Sequence, residues 1–64
     1  MSKNEQKIID FLKSSNNSSF TRQELKKGSA ISRDETFASH LKSLCFYEYI
    51  RKDNNEKYCL TEKI

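Results

Sequence analysis

The chain has 64 residues, enough for one small domain whose hydrophobic core is only just sufficient. Hydrophobic residues make up 34% of the chain and charged residues 33%, so most of the apolar side chains are needed for that core. Twelve Lys and Arg against nine Asp and Glu leave a formal charge of +3. This mild basic excess permits nucleic-acid binding but falls well short of an arginine-rich tail.

The cysteines and the hydropathy exclude several classes of protein. Cys45 and Cys59 are too few for a disulfide framework, and with one histidine they fit no common structural zinc pattern. No apolar stretch approaches the ~20 residues needed to cross a bilayer, and the Met-Ser-Lys start is not a signal peptide. We therefore expect a reduced, cytoplasmic protein without membrane contact, metal or cofactor. Cys45 is interpreted as a small core residue, with a Cys45–Cys59 redox pair as the alternative.

Helix starts are marked by three segments of the form Ser/Thr-x-x-Glu, each ahead of an apolar periodic run. In such a capping box the hydroxyl accepts a hydrogen bond from the backbone N–H three residues on, and the Glu carboxylate accepts one from the N–H of the cap residue. The carboxylate also suits the positive end of the helix dipole. The sequence therefore predicts helices that begin at Ser2–Glu5, Thr21–Glu24 and Ser32–Glu35.

The first predicted helix spans about residues 4–15, where Ile8, Phe11 and Leu12 recur at helical spacing. It runs into six polar turn formers, residues 14–19, which predict a loop. Phe20 follows the loop, directly before the second capping box. It is interpreted either as a hydrophobic staple or as a bridge residue in a small sheet.

A tight turn separates the second and third predicted helices. Helix two spans about residues 22–27, with Leu25 as its core anchor. Gly28, the chain's one glycine, is expected to end it in the left-handed conformation. Ile31 in the turn is expected to enter the core. Helix three spans about residues 33–46. Its apolar stripe consists of Phe37, Leu41 and Leu44.

Two β-prone runs near the end of the chain predict a hairpin over about residues 49–60. Between them, residues 53–56 offer a loop in which Asn54 and Asn55 tolerate the positive φ that tight hairpin turns demand. The side chains expected to face the helices are Ile50, Tyr58 and Leu60. The prediction is an α+β fold in one domain over residues 1–64, with three helices, a two-stranded hairpin and, if Phe20 is a bridge residue, a short third strand.

This order of elements resembles the winged helix-turn-helix family over nearly the whole chain, from about Asn4 to Leu60. The segments that carry the resemblance are Phe20–Leu25, Ile31–Arg33 and His40–Leu44 leading into Tyr49–Lys52. It implies a site-specific binder of double-stranded DNA, with helix three in the major groove and the hairpin, or wing, along the backbone or minor groove. It also implies a transcriptional regulator, a repressor acting by promoter occupancy, similar to small phage, plasmid or archaeal-virus regulators.

Carried onto this chain, the resemblance assigns base contacts to the outward face of helix three. The candidates are Arg33, Thr36, Ser39, His40 and Ser43. Arg33 can bind guanine O6 and N7 in a bidentate manner, and the hydroxyls can contact bases or phosphates. The alternative is that all five are ordinary solvated residues. Glu35 is explained first as the capping partner of Ser32, with acceptance from cytosine N4 as the alternative.

Contacts to the DNA backbone are assigned to basic and amide side chains of helix two and the wing. The candidates are Arg22, Lys26, Lys27, Arg51, Lys52, Asn54, Asn55 and Lys57. Such contacts anchor a protein to phosphates with a strength that depends on salt. The alternatives are helix-dipole compensation by Lys26 and Lys27, and an ordinary soluble hairpin.

Three further interpretations concern the aromatic residues, a protein partner and catalysis. The aromatic cluster of Phe46, Tyr47 and Tyr49 either completes the core or forms a homodimer contact, and pairing on a palindrome would raise affinity and specificity. The principal rival to DNA binding is a winged helix used for protein–protein contact in a larger assembly. An enzyme is disfavoured because the sequence has no paired nucleophile and base and no phosphate loop, and no small-molecule ligand is indicated.

Overall fold

Capping boxes set where the first two helices begin. A computed structural model of the protein describes residues 2–15 and 19–62. The Ser2 hydroxyl accepts the Glu5 N–H at 3.2 Å, and the Glu5 carboxylate accepts the Ser2 N–H at 2.9 Å. Thr21 and Glu24 make the same two bonds at 3.3 and 2.9 Å. Both predicted boxes are confirmed.

Three α-helices and three β-strands form among the described residues. In chain order they are α1 Lys3–Ser14, β1 Phe20–Thr21, α2 Arg22–Ser29, α3 Asp34–Phe46, β2 Ile50–Lys52 and β3 Lys57–Leu60. Each predicted helix and the hairpin therefore lie within two residues of their expected bounds. Of the predicted loop, Asn16, Asn17 and Ser18 lie outside the described residues, as do Met1, Lys63 and Ile64 at the ends.

The third predicted capping box is wrong. Helix α3 begins one residue later than the box requires, with Arg33 as its N-cap in an extended conformation (φ −91°, ψ 123°) and without a side-chain cap bond. Asp34 is the first helical residue and bonds to Lys26 of α2. The predicted cap between Ser32 and Glu35 is therefore not formed, and Glu35 is exposed.

The role predicted for Gly28 is also wrong. Gly28 lies inside α2, and the left-handed residue that ends this helix is Ala30 (φ 60°), whose N–H donates to the Lys27 carbonyl at 3.2 Å. A Cβ on Gly28 would overlap the ring of Phe11, well inside the 3.0 Å limit below which real Cβ contacts are essentially never seen. The glycine therefore serves the close approach of α1 to α2, not the turn.

The sheet is antiparallel and has the order β1-β3-β2, so the last strand is central. Phe20 pairs with Tyr58 across β1 and β3, and Ile50 pairs with Leu60 across β2 and β3. The bridge interpretation of Phe20 is therefore confirmed, and the two-stranded hairpin is extended to three strands. The Phe20 ring also packs against Phe11, with ring centroids 4.8 Å apart.

The core lies where the three helices meet the inner face of the sheet. Its buried apolar residues are Ile8, Ile9, Leu12, Leu25, Ile31, Phe37, Leu41, Leu44 and Ile50. Tyr58 and Leu60 are half-buried against it, on the expected face. The protein is thus a small α+β fold, and its layout of three helices and a three-stranded sheet is compatible with a winged helix.

Candidate nucleic-acid interface

The connection between α2 and α3 is a short, closed turn. The Ser29 hydroxyl, which is buried, donates to the Leu25 carbonyl at 2.7 Å, and Ala30 then reverses the chain. Ile31 enters the core as predicted, with 6% of its surface exposed. Because a buried side chain lies inside the turn, the two helices are held at a fixed orientation to each other.

An ion pair joins the same two helices on their surface. The Lys26 Nζ lies 2.6 Å from the Asp34 carboxylate. The hydrogen bond from Lys26 is the main cause of a lowered pKa at Asp34, and the Lys26 and Arg22 charges also lower it. Lys26, predicted to contact phosphate, is therefore already engaged by a carboxylate of its own chain. A phosphate would have to compete with Asp34 for it.

The outward face of α3 carries most of the residues predicted to face bases. Phe37, Leu41 and Leu44 are buried and hold the helix against the core. Opposite that stripe Ser39 is exposed, and Arg33 is exposed at the N-cap of the helix. Thr36 and Ser43 are half-buried on the same helix. Lys42 is also exposed there, and sequence reasoning did not place it in the site although its charge was available as a signal.

His40 is turned toward α1. Its Nδ1 lies 3.4 Å from the Ser2 hydroxyl and 3.8 Å from the Glu5 carboxylate, and its Nε2 lies 3.5 Å from the Asn4 amide. The ring is half-buried against the capped start of α1. The structure therefore separates His40 from the other four recognition candidates. Its partners are more than 30 residues away in the chain, so no local pattern could have indicated them.

The hairpin between β2 and β3 presents its basic side chains to solvent. Arg51, Lys52 and Lys57 are exposed, as are Asn54 and Asn55 at the tip. An Asp53 carboxylate oxygen accepts the N–H groups of Asn55 and Lys57 at 2.8 and 3.0 Å. These bonds fix the loop on which the basic groups stand.

The conformation at the hairpin tip differs from the prediction. The positive φ falls on Glu56 (φ 59°), whereas Asn54 and Asn55 were expected to supply it. Asp53 explains the difference, since its carboxylate closes the turn and the chain re-enters β3 after Glu56.

Helix α2 contributes one open and two partly engaged basic groups. The Arg22 guanidinium lies 5.5 Å from the centre of the Phe37 ring, within the range of a cation–π contact. Lys27 is exposed, and Lys26 is held by Asp34 as described. Glu24 has a lowered pKa, mainly because it accepts the Thr21 N–H, and the charge of Lys57 adds a little to this effect. Acidic groups thus reduce the positive charge of α2.

The three residues of the aromatic cluster differ in burial. Tyr49 is half-buried against the core, but Phe46 and Tyr47 are 78% and 57% exposed. The expectation that the cluster completes the core is therefore wrong for these two. Their rings meet edge to face, with centroids 5.2 Å apart. The prediction assumed that the other apolar residues were too few to fill the core. In the structure the Ile and Leu residues of the core fill it without Phe46 and Tyr47.

Both cysteines are free and half-buried, so the redox-pair alternative is not formed in the structure. Burial raises the pKa of the Cys45 thiol, which disfavours the nucleophilic thiolate. Among residues 2–15 and 19–62, no three His, Cys, Asp or Glu side chains come together as metal ligands would.

Comparisons with protein-family models, curated proteins and solved structures gave no match to this chain. Within the described part of the chain, no helix has both the length and the apolar character that crossing a membrane requires.

Proposed function

We propose that the protein is a winged helix-turn-helix regulator that binds double-stranded DNA site-specifically. The support is the layout: two helices joined by a short buried turn, the second with a polar outward face, followed by a hairpin whose strands carry exposed basic side chains. A helix of 13 residues is about 20 Å long, which suits insertion across the major groove.

The observation that carries the proposal is the placement of exposed donors on one rigid frame. Ser39 stands on the outward side of α3, whose opposite stripe is embedded in the core, and Arg33 is exposed at the N-cap of the same helix. Arg51, Lys52 and Lys57 stand on a hairpin whose loop is closed by Asp53. In this arrangement the helix reads base edges and the hairpin anchors to phosphates.

The roles within the site follow from exposure. Arg33 and Ser39 reach base edges, whereas the half-buried Thr36 and Ser43 contact the backbone at the groove wall. His40 has no part in the contact because its ring is engaged with the start of α1. The exposed Glu35 repels phosphates and lowers affinity for random sequence. Repression follows by steric occlusion of a promoter, without chemistry.

Selection from a random-sequence duplex pool at low salt tests this proposal. We expect enrichment of a short site. Arg33→Glu and Lys52→Glu should each remove binding to it, with Lys13→Glu on the exposed side of α1 as a matched charge-reversal control that retains binding. The DNA assignment would be refuted if the wild-type protein enriched no sequence from the pool and showed no measurable affinity for duplex DNA at low salt.

A protein-interaction module is the second candidate, and one observation favours it. Because the predicted cap does not form, the acidic side chain of Glu35 is exposed at the start of α3, together with the carboxylate of Asp34. An acidic helix start suits a basic protein partner better than it suits phosphate. The two candidates separate in the charge-reversal series, because Glu35→Lys should strengthen duplex binding but weaken binding to a basic partner.

A further inference from the structure

The outward face of α3 ends in a large apolar side chain. Phe46 is the last residue of the helix and is 78% exposed. It follows Ser39 by about two helical turns, so the two side chains leave the helix axis in directions only about 20° apart. The buried Phe37 and Leu44, which hold the helix against the core, lie on the other side. Phe46 therefore stands on the same face as the side chains proposed to meet base edges.

The spacing along α3 places Phe46 within the groove that Ser39 is proposed to enter. Between these two residues the helix rises about 10 Å, and the major groove of B-DNA is about 12 Å wide. Lys42 lies between them in the chain, on the same side of the helix, and is exposed. A helix docked through Ser39 therefore brings Phe46 to the base edges with a cationic neighbour suited to phosphate.

The end of the helix holds Phe46 in place. Its ring meets the Tyr47 ring edge to face, with centroids 5.2 Å apart. Beneath it, the Tyr49 N–H donates to the Leu44 carbonyl at 2.9 Å across a left-handed Glu48 (φ 64°), as in a Schellman motif. A side chain on a backbone fixed in this way loses little conformational entropy on binding, so its contacts contribute to affinity.

The chemistry of a phenyl group limits what Phe46 can read. It has no hydrogen-bond donor or acceptor for the polar groups of the base edges or for phosphate. The apolar group that base pairs present in the major groove is the C5-methyl of thymine, and Phe is among the side chains that contact it. The ring is also free for this contact, because Phe46 takes no part in the core.

We propose that Phe46 is a specificity-determining residue that reads a thymine through its C5-methyl group. This inference rests on the proposed function and adds a base to the target that the polar side chains of α3 do not select. The preferred site then contains a thymine where the C-terminal end of α3 lies in the groove. The contact is apolar, so it adds discrimination between bases without adding to the salt dependence of binding.

Removal of single methyl groups from the selected duplex tests the proposal. Each thymine is replaced in turn by uracil, which pairs in the same way but lacks the C5-methyl. For wild type, at least one replacement should weaken binding about 4-fold, the effect of taking one methyl group out of an apolar contact. A selected site without thymine, or one in which no uracil replacement weakens binding, would refute the proposal.

Variants at Phe46 assign the methyl contact to this residue. Phe46→Ala should bind the thymine and uracil duplexes equally at the sensitive position, which closes a double-mutant cycle between the ring and the methyl group. Phe46→Leu is the matched control, because it keeps an apolar contact and should retain most of the preference. Since the Phe46 side chain is mostly exposed, both variants should keep the urea midpoint of wild type. A thymine preference that persists unchanged in Phe46→Ala overturns the proposal.

The outcomes separate this inference from the proposed function. If wild type binds its selected duplex but shows no thymine preference that depends on Phe46, the inference fails and the DNA assignment stands. If wild type binds no duplex at low salt, the DNA assignment fails and the inference fails with it. A preference that is present in wild type and Phe46→Leu and absent in Phe46→Ala supports both.

Discussion

Replacing Gly28 by Ala tests whether close packing of α1 on α2 is what this position requires. In an ordinary helix interior the change stabilises by about 1 kcal/mol, because Gly is the poorer helix former. Here the new methyl group overlaps the Phe11 ring, so the ring must shift, which disturbs its contact with the Phe20 ring, 4.8 Å away between centroids. Overpacking costs about 1–3 kcal/mol and the lost aromatic contact about 0.5–1.5.

The net expectation for Gly28→Ala is therefore a loss of about 0.5–3.5 kcal/mol in the free energy of unfolding, after the gain in helix propensity is subtracted. In a domain of this size that lowers Tm by roughly 2–25 °C. Urea denaturation followed by circular dichroism measures it. Ala30→Gly is the matched control: it places glycine at the left-handed residue and should stabilise by up to about 1 kcal/mol. A Gly28→Ala protein as stable as wild type, or more stable, refutes the packing argument.

Three further predictions concern the caps, the ion pair and the hairpin. Hydrogen bonds from the cap N–H groups lower the pKa of Glu5 and Glu24. The stability that these two carboxylates add to the fold is therefore complete above the ordinary pKa of 4.5 and is lost as pH falls through the lower folded pKa. The urea midpoint of Glu5→Gln should accordingly depend less on acid pH than that of wild type. Asp34→Asn frees Lys26, so the salt slope of duplex binding should steepen by about 1, whereas an unchanged slope would mean that Lys26 does not reach phosphate. Glu56→Gly relieves the positive φ and should raise the free energy of unfolding by up to about 1 kcal/mol; a decrease would contradict this.

Helices and strands were predictable where the signal is local. The boxes at Ser2 and Thr21 involve residues three apart, so their hydroxyl and carboxylate pairing is written in a short segment. The hairpin was predictable for the same reason, because alternation and a polar loop are short-range patterns. Their agreement with the structure reflects local propensity and tertiary packing that favour the same conformation.

The wrong predictions concern positions that contact residues distant in the chain. Ser32 is a good cap residue, yet α3 begins one residue later, beside an ion pair from Asp34 to Lys26 that the local pattern does not contain. Glycine often ends a helix, but Gly28 instead allows the close approach of the Phe11 ring, seventeen positions away in the chain. Neither contact leaves a periodic trace in the sequence.

The candidate site was predictable in outline and less so in detail. Helical periodicity correctly placed Ser39 opposite the buried stripe of α3, whereas Arg33 is the exposed N-cap residue before the helix. It could not show that His40 at the edge of that face would be drawn to the start of α1. Because Glu35 makes no capping hydrogen bond, its carboxylate counts as an acidic group on the proposed DNA-binding face.

NMR mapping of the protein against the selected duplex tests the central claim most directly. On titration, amide signals from Arg33 to Ser43 and from Ile50 to Lys57 should shift, since α3 and the hairpin form the proposed contact. Signals of Gln6, Asp10 and Lys13 on the exposed side of α1 should stay in place. Shifts confined to α1, or spectra unchanged by excess duplex at low salt, would contradict the account.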